Sequence, residues 1–228
     1  MKLHIIVIIL FFSTLNQATA QEGYKQNLAN LISINFPSKP EANDTLGQQT
    51  FHYSDANATY VVVTIDLSKN KHVELKSSEL DEFYKGNVNG VLEASKGKLI
   101  SEKPFEIDGL KGLDIVYKSS SNPLLPDLRF KRILFLNGVV LAIDFWTLSE
   151  NELKTKPERD KFFNSIAIIA DKASLQQGVS ATGFAAYHIG YVVGSVAAWL
   201  VLPGIVLVII LLIKRKRKKK GMKLTTQE

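Results

Sequence analysis

The sequence predicts an α+β domain, a mainly antiparallel sheet covered by helices, followed by one C-terminal transmembrane helix. Three observations predict it. Runs rich in β-branched and aromatic residues recur from residue 31 to residue 148, the composition that suits a pleated, half-buried surface. A single amphipathic helical stripe interrupts them in mid-chain. Residues 192–213 (VVGSVAAWLVLPGIVLVIILLI) then run for 22 residues without a charge; at 1.5 Å each they reach about 33 Å, enough for a hydrocarbon core of roughly 30 Å.

The chain opens with a short basic start, the apolar run Ile5-Ile6-Val7-Ile8-Ile9-Leu10-Phe11-Phe12, and the small-x-small site Ala18-Thr19-Ala20. That order is a secretory signal peptide over residues 1–20, with cleavage expected after Ala20; the eight strongly apolar residues are too few to span a bilayer. The extracytoplasmic domain is assigned to 21–170. After a polar lead-in, 31–36 (LISINF) alternates and stops at Pro37, which cannot continue a ladder. Residues 48–53 and 59–67 form a second β-rich pair separated by Ser54-Asp55-Ala56-Asn57, a turn-prone group. Ser78-x-x-Asp81 has the form of a capping box, and Leu80, Phe83, Tyr84, Val88, Val91 and Leu92 share one helical stripe, so a helix is expected over about 79–94, closed by Gly97.

Strands follow at 98–107, 113–117, 128–136 and 139–148. Asn137-Gly138 joins the last two, and because a type I′ turn needs positive φ at both central residues, this pair fixes the register. Leu136 then faces Val139, Leu134 faces Leu141 and Phe130 faces Phe145; on the opposite side Phe135 faces Val140, Lys131 faces Asp144 and Arg129 faces Trp146. Both sides are apolar near the turn, which predicts cover on both faces of the sheet. Ser149-x-x-Glu152 is a second capping box, with Pro157 expected in the first turn of a helix that runs through Phe162-Phe163. A strand-like piece over 166–169 closes the domain, and residues 171–189 read as a flexible stalk and interfacial approach.

The span is assigned to 190–213 and the basic tail to 214–228. The tail opens with Lys214, Arg215, Lys216, Arg217, Lys218, Lys219 and Lys220, which stay on the cytoplasmic side because carrying them through hydrocarbon costs several kcal/mol per charge. These seven are the expected lipid head-group contacts. The net charge of +6 belongs to them: residues 21–189 hold 19 Lys+Arg against 21 Asp+Glu, whereas 214–228 hold 8 basic residues and one acid. A nearly neutral exterior domain argues against nucleic acid as a partner. The localisation that follows is a single-pass protein of the cell membrane with its N-terminal domain outside, in the periplasm if the host is Gram-negative. In the span, Gly190, Gly194 and Ala198 recur every four residues, a small-residue face that suits a homodimer.

No cysteine is present, so an exported domain is held by its core alone, and thiol nucleophiles and thiolate metal sites are excluded. His52 and His72 lack metal-ligand spacing, and with Asp55, Glu79, Asp81 and Glu82 they read better as solvated histidines and a helix start favoured by the dipole. No phosphate-binding glycine loop or nucleophile elbow occurs; no cofactor and no metal are expected. Glu106, Asp108 and Asp114 are the carboxylates on which a membrane-tethered surface hydrolase would rest, and turn chemistry explains them equally. The loop Ser119-Ser120-Ser121-Asn122-Pro123-Leu124-Leu125-Pro126-Asp127 holds two leucines between prolines, so Leu124 and Leu125 are the candidate partner contact.

The order NFPSKPE at 35–41, a β-rich block ending near Leu67, one mid-chain amphipathic helix, Ile107-Asp108-Gly109 with Lys111-Gly112-Leu113, RFKRILFLNGVVLAIDF and finally DKFFNSI resembles the PsbP-like α/β/α sandwich superfamily over residues 24–170. The resemblance implies a helix-covered sandwich and an accessory binding role, and it brings no catalytic signature. The expected function is therefore a membrane-anchored extracytoplasmic accessory module, not an enzyme, that meets another envelope protein or a small ligand.

Overall fold

The computed structural model describes residues 23–45, 48–68, 75–178 and 186–198. The expected signal peptide, His72, residues 199–213 of the expected span and the basic tail, including Lys214, Arg215, Lys216, Arg217, Lys218, Lys219 and Lys220, lie outside them. Among the described residues no helix is long and apolar enough to cross a membrane.

The described residues form ten strands: β1 (Tyr24–Leu28), β2 (Ile32–Phe36), β3 (Glu41–Thr45), β4 (Gln48–Ser54), β5 (Ala58–Asp66), β6 (Lys98–Ile107), β7 (Leu110–Lys118), β8 (Leu128–Leu136), β9 (Val139–Thr147) and β10 (Ala167–Ile168). Seven form one antiparallel sheet in the order β3-β4-β5-β9-β8-β7-β6, and three form a small sheet, β1-β2-β10. Helices α1 (Leu80–Ala94) and α2 (Glu152–Asn164) are joined by a third, α3, described over residues 186–198. The molecule is mixed α+β with antiparallel sheets, as the sequence predicts.

The central hairpin follows the predicted register. Leu136 pairs with Val139, Phe130 with Phe145, Lys131 with Asp144 and Arg129 with Trp146, around Asn137 at φ 48° and Gly138 at φ 78°. Every residue of β9 is buried, because both faces are covered. On one side Val61, Val63, Ile115, Ile133, Phe135 and Val140 pack under α1 and α3. On the other, Tyr60, Phe130, Leu141 and Phe145 pack with Phe162 of α2 and with Ile32, Ile34 and Phe36 of the small sheet. Tyr60, Phe145, Phe162 and Phe36 stack edge to face at centroid distances of 5.1–5.4 Å, each such pair adding about 1 kcal/mol beyond burial.

Several details depart from expectation. β1 and β3 were not predicted. YKQNL buries only Leu28 fully and owes its strand to pairing with β2; EANDT is an exposed edge strand whose polar residues blunt further pairing. The box at Ser78 does not form: a 3-10 turn over Ser77–Glu79 precedes α1, and Glu79 accepts from the Lys76 amide at 2.9 Å. Ser149 likewise caps nothing in α2. Its amide and hydroxyl donate to Asp127 at 2.9 and 2.5 Å, and α2 starts early enough to place Pro157 inside the helix.

The stalk expected from residue 171 is, through residue 178, a strap on the domain. Asn137 and Gln176 exchange two hydrogen bonds of 2.7 Å, and Gln177 Nε2 donates to the Lys111 carbonyl at 2.7 Å. Polar side chains that looked like linker chemistry instead satisfy turn backbone.

The small-residue face predicted for a homodimer is occupied within the chain. A Cβ on Gly190 would stand 2.0 Å from the Phe83 carbonyl and one on Gly194 2.2 Å from that of Asn87; reciprocally, Gly86 faces Tyr187 at 2.0 Å and Gly90 faces Tyr191 at 2.1 Å. Ascending positions meet ascending positions, so α1 and α3 run parallel with their backbones in contact, as a small-xxx-small pair permits. Ala186, Ile189, Val193 and Ala197 are buried there, whereas Ala198 is half-buried.

Candidate binding groove and loop

The site that local geometry builds lies on the α2 face, where the small sheet and α2 cover β5 and β9 and leave the β6–β7–β8 side open. Strand alternation puts Lys103, Asp114, Val116, Phe130 and Arg132 along that face, and α2 adds Arg159, Asp160 and Phe163. Together they line a groove of about 270 Å³.

Two guanidinium groups dominate it. Arg132 lies 4.3 Å from the Phe105 ring centroid and 5.2 Å from that of Phe163, and it grips Asp114 bidentately at 2.7 and 2.8 Å. Arg159 lies 4.0 Å over Phe130 and reaches Asp160 at 3.2 Å. Gly112 makes the first stack possible: it pairs with Phe105 across the strands, and a Cβ there would meet the Phe105 ring at 2.2 Å. A hydrogen bond from Lys156, with the charge of Arg159, holds the Asp160 carboxyl below its ordinary range despite some burial. Each is a planar cation close to an aromatic ring and already paired with a carboxylate. Such a group recognises carboxylates and phosphates by geometry. With Lys131 paired to Asp144, the lining cations Lys103, Arg132 and Arg159 outnumber the lining carboxylates Asp114 and Asp160 by one.

The residues singled out in the sequence are dispersed. His52 contacts Ser54 Oγ at 3.1 Å, and burial lowers its pKa against the opposing charge of Glu41. Asp55 accepts the amides of Asn57 and Ala58 at 2.8 and 2.9 Å, while Glu79, Asp81 and Glu82 stay at the start of α1. No group of three metal-capable side chains occurs among the described residues. Of the carboxylates on which a hydrolase would rest, Asp114 is committed to Arg132 and Asp108 contacts Lys172 at 2.9 Å.

The two leucines of the 119–127 loop separate. Leu125 is buried at 4 % exposure, whereas Leu124 is 69 % exposed. The loop is pinned: Ser119 Oγ donates to the Ser95 carbonyl at 3.0 Å, the Ser121 amide donates to the same carbonyl at 3.2 Å, and Asn122 Oδ1 accepts from the Leu124 amide at 2.9 Å. Asp127 ties it to the start of α2; burial opposes ionisation there, but the two hydrogen bonds from Ser149 outweigh it and lower the carboxyl pKa.

Sequence reasoning missed the groove. It placed Phe130 opposite Phe145 but had no register for β7 against β8, since the loop between them is long; the Arg132–Asp114 pair depends on that register. The other face of the same strand holds Arg129, 4.0 Å over Trp146, and the buried ion pair of Lys131 with Asp144, both drawn from the hairpin.

No protein-family model matches the chain, and no curated protein matches it. Among solved structures, the solution structure of cyanobacterial PsbP (CyanoP) from Synechocystis sp. PCC 6803 is similar at 14% identity, with 67% of this chain and 96% of that one covered and a TM-score of 0.45. The protein of unknown function PA94 from Pseudomonas aeruginosa, described as a putative regulator, is similar at 15% identity over 61% of this chain and 92% of that one, with a TM-score of 0.37. A structure from Bacteroides thetaiotaomicron VPI-5482 gives 12% identity, 67% and 50% coverage, and a TM-score of 0.35.

Proposed function

We propose that this chain is a membrane-anchored extracytoplasmic binding module, non-catalytic, with a PsbP-like sandwich as its domain, whose arginine–aromatic groove receives an anionic group of another envelope protein or of a small ligand. The observation that carries the reading is the pair of ring-backed guanidiniums, Arg132 on Phe105 and Arg159 on Phe130. A bound carboxylate or phosphate would exchange with Asp114 or Asp160 and keep each guanidinium paired, which costs less than desolvating a free cation. Export and anchoring are supported by the signal-like start, the apolar run over 192–213 and the basic residues that follow. In this reading Lys214, Arg215, Lys216, Arg217, Lys218, Lys219 and Lys220 lie against anionic head groups. A homodimer through Gly190, Gly194 and Ala198 would require α3 to leave α1.

The test is a photo-crosslinking residue at Lys103 in the full-length protein, in its own membrane, followed by mass spectrometry of the captured species. Capture is expected to fall several-fold in the double variant Arg132→Gln/Arg159→Gln, with thermal unfolding of each protein recorded to show that the domain stays folded. Equal capture by a folded double variant removes the groove from the proposal.

A further inference from the structure

Apolar side chains are left exposed at one end of the domain, and it is the end towards which α3 runs. α1 and α3 run parallel, with Ser195 Oγ reaching the Gly90 carbonyl at 3.4 Å, so residue 198 lies level with the C-terminal end of α1. The 119–127 loop is pinned to that same end through Ser95. Beside it, the pairs Leu128–Thr147 and Lys98–Lys118 end their strands, and the Asp127–Ser149 bonds bring in the start of α2. Here Leu124 is 69 % exposed, Leu153 87 %, Ile100 55 % and Leu148 42 %. Lys96, Lys98 and Lys118 are exposed around them, alongside Glu93, Glu150 and Glu152.

We infer that this end of the domain rests on the bilayer, with Leu124, Leu148, Leu153 and Ile100 seated among lipid head groups and Lys96, Lys98 and Lys118 meeting anionic ones. The inference rests on the anchored reading above and follows from the length of chain left for the span. Val193 and Ala197 face α1, and residues 186–198 are spent on the domain. Residues 199–213 remain, 15 without a charge; as a helix they reach about 22 Å, short of a hydrocarbon core of roughly 30 Å. In the sequence the apolar run follows residue 198 directly, so the domain is drawn down until its end enters the interface. Leucines there release apolar surface from water, and lysines there gain from anionic lipid. A second copy or a protein partner on the same patch would leave the short span unaccounted for.

The chain has no cysteine, so single labels are specific. Full-length protein with Leu124→Cys, Leu148→Cys or Leu153→Cys carries a bimane label, and Glu106→Cys, at the opposite end of β6, serves as the control. Each is reconstituted into vesicles of phosphatidylcholine and phosphatidylglycerol that hold acyl-chain nitroxide lipids. Quenching several-fold stronger at 124, 148 and 153 than at 106 is the expected result. Labels that stay water-accessible in protein that remains in the vesicles after alkaline carbonate overturn the inference and leave the anchor standing. Labels shielded from water but unquenched by lipid mean that a second copy or another protein covers the patch, and overturn it too. Protein that carbonate strips from the vesicles overturns the anchored reading together with the inference.

Discussion

At the scale of single residues, the charged groups inside this domain divide by what each would leave behind. Lys131 and Asp144 are 5 % and 2 % exposed and bonded to each other, and Asp144 also accepts from Trp146 Nε1 at 3.3 Å. Removing one partner strands a buried charge, so Asp144→Ala is expected to cost about 3–5 kcal/mol of stability. The double change Lys131→Met/Asp144→Leu should recover most of that; urea unfolding of the three variants measures it, and equal losses would show that the cost is packing rather than charge. Asp127 gives a pH test. Its folded carboxyl titrates below the unfolded one, so its contribution is fully present above the unfolded value and is lost as pH falls through the folded value. Replacing it by Asn should lower stability by about 1 kcal/mol at neutral pH, a modest figure for a half-exposed group. The gap to wild type should begin to close below about pH 4 and narrow further as pH falls. A gap constant from pH 7 to 3 would assign Asp127 a neutral structural role.

At the scale of elements, legibility followed the range of the interaction. The β8–β9 hairpin was readable because Asn137-Gly138 fixes a register that needs no knowledge of the rest of the chain. β1 was not readable, since its five residues bury one leucine and its turn uses Ala29 and Asn30 at positive φ rather than an Asn-Gly pair. The groove was hidden for the same reason: Arg132 meets Asp114 only after a loop of unpredictable path. The α1–α3 pairing was half visible. The spacing of Gly190 and Gly194 is visible in the sequence, but its counterpart Gly86-Asn87-Val88-Asn89-Gly90 sits in a helix with one evident apolar stripe, and a second face lined by Gly and Asn has no hydrophobic signal. Because a Cβ at Gly90 would stand 2.1 Å from the Tyr191 carbonyl, Gly90→Val should force the helices apart and cost about 1–3 kcal/mol. An unchanged stability, or the gain of a few tenths of a kcal/mol that helix propensity alone gives for Gly→Val, would show that α3 does not dock.

For the molecule as a whole, the decisive question is where the folded domain ends. Composition places that end near residue 170 and reads 171–189 as a stalk, while Ala186, Ile189, Val193 and Ala197 pack in the same core cluster as α1. A helix that meets another helix through glycine and alanine has the composition of the beginning of a membrane span, which uses the same residues for the same close approach. Two truncated chains separate the readings. A chain of residues 21–198 keeps α3 on its face, whereas one of residues 21–178 uncovers Gly86, Gly90 and the adjoining core. Burial of Ile189 and Val193, at 6 % and 5 % exposure, contributes at most roughly 3–6 kcal/mol on area grounds. The longer chain is therefore expected to be released from the membrane as a folded species, and the shorter to melt at a lower temperature and to associate through the uncovered face. Equal melting temperatures for the two would return α3 to the span. That result would also restore the full 190–213 stretch to the hydrocarbon and remove the shortage of length that draws the Leu124 end of the domain onto the bilayer.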